Sequence, residues 1–127
     1  MDNLQKNKEL VIDYFNAISG VKKTRELLEK YLSDKQLIEH IEFFDSVFPA
    51  YELYADEMLA EGNRVVVKAR AKGRHEGELN GIPPTYKNVD FPFSIGYEIE
   101  NNKIISHWLI ADQMVLMEQL GVMNTVA

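Results

Sequence analysis

The sequence predicts an α+β domain, with helices in its first part and an antiparallel sheet in its second. Three observations carry this. Apolar residues recur at helical spacing as far as Phe48. After Pro49 the spacing changes to alternate residues. Glu61-Gly62-Asn63-Arg64 and Glu100-Asn101-Asn102-Lys103 read as tight hairpin turns, because Gly and Asn tolerate positive φ. A block of helices followed by a block of strands is the pattern of α+β rather than of alternating α/β.

The first helix is expected from about Asn3 to Ser19. Leu10, Val11, Tyr14, Phe15 and Ile18 fall on one stripe, Asn3 can cap the start and Gly20 can end it. A second helix near 24–32 repeats the stripe with Leu27, Leu28, Tyr31 and Leu32. A third begins at Ser33, which forms a capping-box pattern with Gln36, and Pro49 stops it. Strands follow near 51–61, 64–75, 88–100 and 103–112. Gly81, Pro83 and Pro84 make 77–87 a longer loop. A short helix from Met114 to Leu120 ends at Gly121, and the tail beyond it is expected to fray.

The 127 residues suit one domain, 1–127, and 46% hydrophobic content can supply a core with or without a cavity. A net charge of −6 argues against nucleic acid as a partner, because phosphate binding needs a basic face. No apolar run reaches the roughly 20 residues that span a bilayer. The segment from Met1 to Lys6 lacks the apolar core of a secretion signal, so a cytoplasmic location is the default expectation. Without cysteine there is no disulfide or thiol chemistry.

Strand parity predicts which side chains face inward. Val65, Val67, Ala69, Ala71, Gly73 and His75 share the apolar face of their strand, and Lys68, Arg70, Lys72 and Arg74 share the other. Val89, Phe91, Phe93, Ile95, Tyr97 and Ile99 form the next inner row. A two-residue turn at Asn101-Asn102 sets Ile99 opposite Ile104, Ile95 opposite Trp108 and Phe91 opposite Asp112. Ser106, Trp108, Ile110 and Asp112 are therefore expected inside, and His107 on the outer or interface face. A symmetric hairpin pairs Gly73 with Phe91 and His75 with Val89. It puts His75 and Asp112 on one inner surface, roughly 10 Å apart, with space beside Gly73. The strand at 51–61 has two readings: Tyr54, Asp56 and Met58 inward, or Leu53 and Leu59 inward if it holds a bulge.

Several segments resemble one known family. Ala60-Glu61-Gly62-Asn63-Arg64-Val65-Val66-Val67 is similar to a hairpin of SnoaL-like polyketide cyclases and ester cyclases, within the NTF2-like superfamily. Gly73-Arg74-His75-Glu76-Gly77, Gly81-Ile82-Pro83-Pro84-Thr85-Tyr86-Lys87, Asn102-Lys103-Ile104-Ile105-Ser106-His107-Trp108 with Asp112, and Gln119-Leu120-Gly121 follow the family's order. The resemblance implies a cone: a curved, mostly antiparallel sheet wrapped by N-terminal helices around an apolar pocket. It implies a homodimer joined through the outer sheet face, and chemistry without metal or cofactor. The acidic residue matching Asp112 is the family's general acid/base, taking a proton from carbon beside a carbonyl before an intramolecular aldol closure. The residue matching His75 lies in the same pocket. Tyr86 stands where the family has Gly, a change expected to narrow or reshape the pocket mouth.

Apolar walls would raise the pKa of Asp112 and suit it to C–H proton transfer, with His75 steadying the enolate. Trp108, Phe91, Phe93, Ile95, Tyr14 and Met58 are the expected substrate-binding residues. Plainer readings stand beside these. Asp112 can simply cap the last helix, His75 can be a half-buried histidine with a backbone partner, and Trp108 can be core. His40 is expected to be solvated. His40, His75 and His107 lie on different elements and do not make a metal set. Three functions remain: a cofactor-free acid/base enzyme on a small apolar carbonyl compound, a small-molecule binder, and a dimeric scaffold with a vestigial pocket.

Overall fold

A computed structural model describes residues 2–122. Three helices, α1 (Asn3–Ile18), α2 (Arg25–Glu29) and α3 (Lys35–Val47), precede four strands, β1 (Glu52–Glu61), β2 (Arg64–Arg74), β3 (Asn88–Glu100) and β4 (Lys103–Ala111). Helix α4 (Gln113–Leu120) closes the described chain. The strands pair antiparallel in the order β1-β2-β3-β4. The helices cover one face of this curved sheet, as the α+β reading expects.

The helix starts lie one residue from the expected caps. Asp2, not Asn3, caps α1 by accepting from the Gln5 N–H at 2.8 Å. Asp34, not Ser33, caps α3 through Leu37 N–H at 3.1 Å. A carboxylate serves both capping and the positive end of the helix dipole. Helix α2 is shorter than expected, ending at Glu29. Beyond it Leu32 bridges Ile104, while Ser33 N–H donates to Ile104 O at 2.9 Å and Ile104 N–H to Tyr31 O at 2.9 Å.

Both hairpins turn where expected, with Glu61 opposite Arg64 and Glu100 opposite Lys103. Asn101 and Asn102 take φ of 49° and 61°, the conformation of a two-residue turn that matches strand twist. In β2 and β3 the inner rows hold: Val65, Val67 and Ala69 are fully buried, and Phe91, Ile95, Tyr97 and Ile99 nearly so. The register differs by two residues from the symmetric hairpin, pairing Gly73 with Val89 and Ala71 with Phe91. A shift of two keeps every face. The space beside Gly73 is filled, because a Cβ there would lie 3.0 Å from Phe48 Cβ and 3.1 Å from Tyr51 Cβ.

Two bulges decide the remaining faces. In β1 the register shifts between Ala55 and Glu57, leaving Asp56 as the extra residue. Met58 and Ala60 pack inward on one side of it and Leu53 on the other, while Leu59 and Tyr54 are exposed. Each of the two sequence readings is thus half right. In β4 the partners step from Ile99↔Ile104 to Glu98↔Ser106, so Ile105 is the extra residue. Beyond it the faces reverse. His107, Leu109 and Ala111 oppose the inner residues Tyr97, Ile95 and Phe93. Ser106, Trp108 and Ile110 lie outside, against expectation. Trp108 covers Gly96, where a Cβ would come within 2.2 Å of the indole nitrogen. The missing side chain at Gly96 is the seat for the indole on the outer face.

The outer face carries the expected basic stripe, offset by carboxylates. Arg70 binds Asp56 at 2.9 Å, Lys72 reaches Asp90 at 3.7 Å and Arg64 meets Glu98 at 3.1 Å. Among the described residues no helix is long and apolar enough to cross a membrane.

Candidate functional site

Between α1, α3, α4 and the inner sheet face lies a cavity of about 120 Å³. A cavity of roughly 150 Å³ holds a benzene ring, so this one accommodates about one ring, with more of a ligand emerging at the mouth. Four expected substrate-binding residues stand in its wall: Tyr14 from α1 and Phe91, Phe93 and Ile95 from β3. A helical stripe in α1 and alternation along β3 put them there.

Four of the expected site residues, Trp108, Met58, Asp112 and His75, lie off the cavity. Trp108 is 46% exposed on the outer face, placed there by the bulge at Ile105. Met58 packs against the core but not on the cavity, because β1 carries it to the far end of the sheet. Asp112 is exposed, with its Oδ1 accepting from Val115 N–H at 3.0 Å to cap α4. Its neighbours Ala111 and Gln113 line the cavity, yet its own side chain is turned to the rim outside. The plainer reading of this residue describes its position, and the apolar walls expected to desolvate it do not enclose it.

His75 is fully buried but away from the cavity. The Thr85 N–H donates to its Nδ1 at 3.1 Å, and Thr85 Oγ1 lies 3.0 Å from the same nitrogen. With Nδ1 accepting, Nε2 carries the hydrogen. Among the described residues Nε2 has no partner. His75 thus pins the 77–87 loop to the end of β2, helped by Tyr86 N–H donating to its carbonyl at 2.9 Å. It does not meet Asp112. Tyr86, at φ 59°, stacks on Arg74 with 5.4 Å from guanidinium to ring, and stays clear of the cavity mouth.

The cavity's polar groups are ones the sequence reading did not select. Tyr14, Tyr51 and Tyr97 bring phenols into an otherwise apolar lining. Burial, above all, holds all three well above the ordinary tyrosine pKa, and each is raised further by a neighbouring phenol. They are therefore neutral hydrogen-bond donors at any physiological pH. Tyr14 and Tyr97 face each other edge to face, with ring centroids 6.0 Å apart. His40 and Gln113, both exposed, form part of the mouth. His40 stacks on Phe44 at 6.0 Å and 22°, and its pKa is lowered by partial burial and then by nearby His107.

His107, expected outside, is inside: the bulge sets it opposite Tyr97, and its Nδ1 lies 2.6 Å from Asp34 Oδ2. The one-residue slip in β4 hid both this pair and its closeness to His40. The parity of Tyr97 was legible, and its position on the inner row beside Ile95 was the signal available for it. Among the described residues, no group of three His, Cys, Asp or Glu side chains is arranged to hold a metal ion.

Comparison with known proteins agrees with the fold. Similar solved structures include AclR from Streptomyces galilaeus, described as a candidate hydroxylase, with TM-score 0.82, 20% identity, and 98% of this chain and 86% of that chain covered. A candidate SnoaL-like polyketide cyclase from Jannaschia sp. CCS1 has TM-score 0.81 and 20% identity over 98% of this chain and 97% of its own. IdmH from Streptomyces antibioticus, a candidate polyketide cyclase, has TM-score 0.76 and 18% identity over 91% and 99%. No curated protein matches the chain. The family model for SnoaL-like polyketide cyclases matches residues 9–120. With the model spanning nearly the whole described chain, this protein belongs to the SnoaL-like polyketide cyclase family.

Proposed function

We propose that this chain is a cofactor-free acid/base enzyme of the cyclase kind. It takes a small, largely apolar carbonyl compound into the cavity and moves a proton on the carbon beside the carbonyl, leading to aldol ring closure or isomerisation. The observation that carries this reading is an apolar cavity whose interior polar groups are neutral phenols. Apolar walls bind hydrocarbon and exclude water, while placed donors bind oxygen as it gains negative charge. The cavity volume favours a substrate presenting about one ring at a time. Family membership supports the reaction class.

A second reading, a binder without turnover, draws on one feature: among the described residues no carboxylate lines the cavity. Hydrogen–deuterium exchange separates the two. Phenylacetone in D₂O, followed by proton NMR, loses its α-proton signals faster with the wild-type protein than with buffer if the enzyme reading holds. Ala111→Phe, which fills the cavity from its wall, returns the rate to that of buffer. Exchange that ignores this plug, or no acceleration by wild type, rejects the enzyme reading.

A further inference from the structure

We propose that His40 is the general base of this site and that Tyr97 with Tyr14 forms the oxyanion-binding pair. This rests on the enzyme reading above and deepens it.

The argument begins with elimination. Among the described residues, four titratable side chains line the cavity: Tyr14, Tyr51, Tyr97 and His40. The phenols are kept protonated by burial. An imidazole is the remaining group able to accept a proton near neutral pH. His40 is also the histidine with access. His75 is sealed and holds Thr85, and His107 is held by Asp34 through Nδ1.

Position supports the same assignment. His40 lies on α3 two turns from the start capped by Asp34, which brings its ring to the mouth and stacks it on Phe44. Tyr97 and Tyr14 lie deeper, on the strand and helix that face each other across the cavity. A ligand inserted carbonyl-first sets its oxygen near the phenols and an α-carbon toward the mouth. Burial, and then nearby His107, lowers the His40 pKa, which favours the basic form of its ring.

The step balances without a co-reactant. A ring nitrogen of His40 takes the α-proton. The C–H electron pair forms the enolate double bond, and the carbonyl π pair moves onto oxygen, which accepts hydrogen bonds from Tyr97 and Tyr14. In ring closure the enolate carbon attacks a second carbonyl, and the imidazolium returns its proton to the new alkoxide.

The phenylacetone exchange assay tests this with His40→Gln, His40→Ala and Tyr97→Phe. His40→Gln should lower exchange by at least about 100-fold. Binding of 4-nitrophenol, followed by its absorbance, should persist within about threefold, because the phenol donors are untouched. Added imidazole should restore part of the lost rate to His40→Ala, a rescue that a packing role does not produce. Tyr97→Phe should weaken both exchange and 4-nitrophenolate binding. An active wild type whose His40→Gln variant exchanges within about threefold of it overturns the base assignment and leaves the enzyme reading standing. A wild type that binds 4-nitrophenol but exchanges nothing overturns both.

Discussion

Replacing Asp112 by Asn and by Ala distinguishes a helix cap from a catalytic base. Asp112 Oδ1 accepts from Val115 N–H at 3.0 Å, and the side chain is exposed. Asn presents the same carbonyl oxygen and caps as well as Asp, so Asp112→Asn should leave the melting temperature within about 1 °C. Ala removes the acceptor and costs about 1 kcal/mol. For a domain of 127 residues this lowers the melting temperature by about 4 °C. Helix α4 carries Gln113 and Leu116 into the cavity lining, so its loosened first turn should also reduce phenylacetone exchange in Asp112→Ala, by less than about tenfold. Thermal denaturation followed by circular dichroism, with the exchange assay run on both variants, reads these outcomes. A base behaves differently: Asn would keep the stability and remove about 100-fold or more of the rate. That result, with an unchanged melting curve, would show that Asp112 reaches the substrate and would refute its role as a cap alone.

Three further outcomes follow from other parts of the molecule. Gly77→Ala puts a Cβ 2.1 Å from Ser46 O, a backbone atom that cannot step aside. The loop must retreat and weaken the bonds from Glu76 and Gly77 N–H to Val47 O, costing about 2–3 kcal/mol at about 1 kcal/mol each plus lost packing. A melting temperature within about 2 °C of wild type refutes the clash. Lys23 is buried, donates to Tyr51 O at 2.7 Å, and has its pKa lowered to about 8, chiefly by burial. Between about pH 8 and 9, below the range where unfolding frees protons from the buried tyrosines, the unfolded chain keeps this proton while the folded chain releases it, so stability should rise with pH across that window. Lys23→Met should flatten that rise in urea titrations, and a slope unchanged by it assigns the effect to other groups. Trp108, Ile110 and Met114 stand exposed on the outer side, where the family resemblance implies a second copy. Trp108→Glu should convert a dimer to a monomer in light scattering, and a wild type already monomeric at micromolar concentration disposes of the expectation.

Much of the site was legible because it depends on local pattern. The stripe in α1 put Tyr14 inward, and alternation in β3 put Phe91, Phe93 and Ile95 beside it. Parity also carried β2 correctly through a register two residues off, since a shift of two restores the face. The same reasoning failed in β4, where an extra residue at Ile105 reversed Trp108 and His107 and moved Asp112 off the inner row. A one-residue slip exchanges both faces at once, so one bulge accounts for all three misplacements. A clue was present in Gly96, because an isolated glycine within a strand marks a bulge or a close approach. Here it admits the Trp108 indole.

The sequence by itself determined the order of helices and strands, both hairpin turns, the family and half of the cavity wall. Each of these follows from neighbours along the chain: spacing, turn chemistry and recognisable segments. Tertiary structure alone decided which face of β4 points inward, that Asp34 meets His107, and that His40 stands at the mouth. The physical reason is that these are set by contacts between distant segments. Leu32 fastens Ile104 at one end of the bulge and Gly96 receives Trp108 beyond it, and no periodicity within a single strand encodes either.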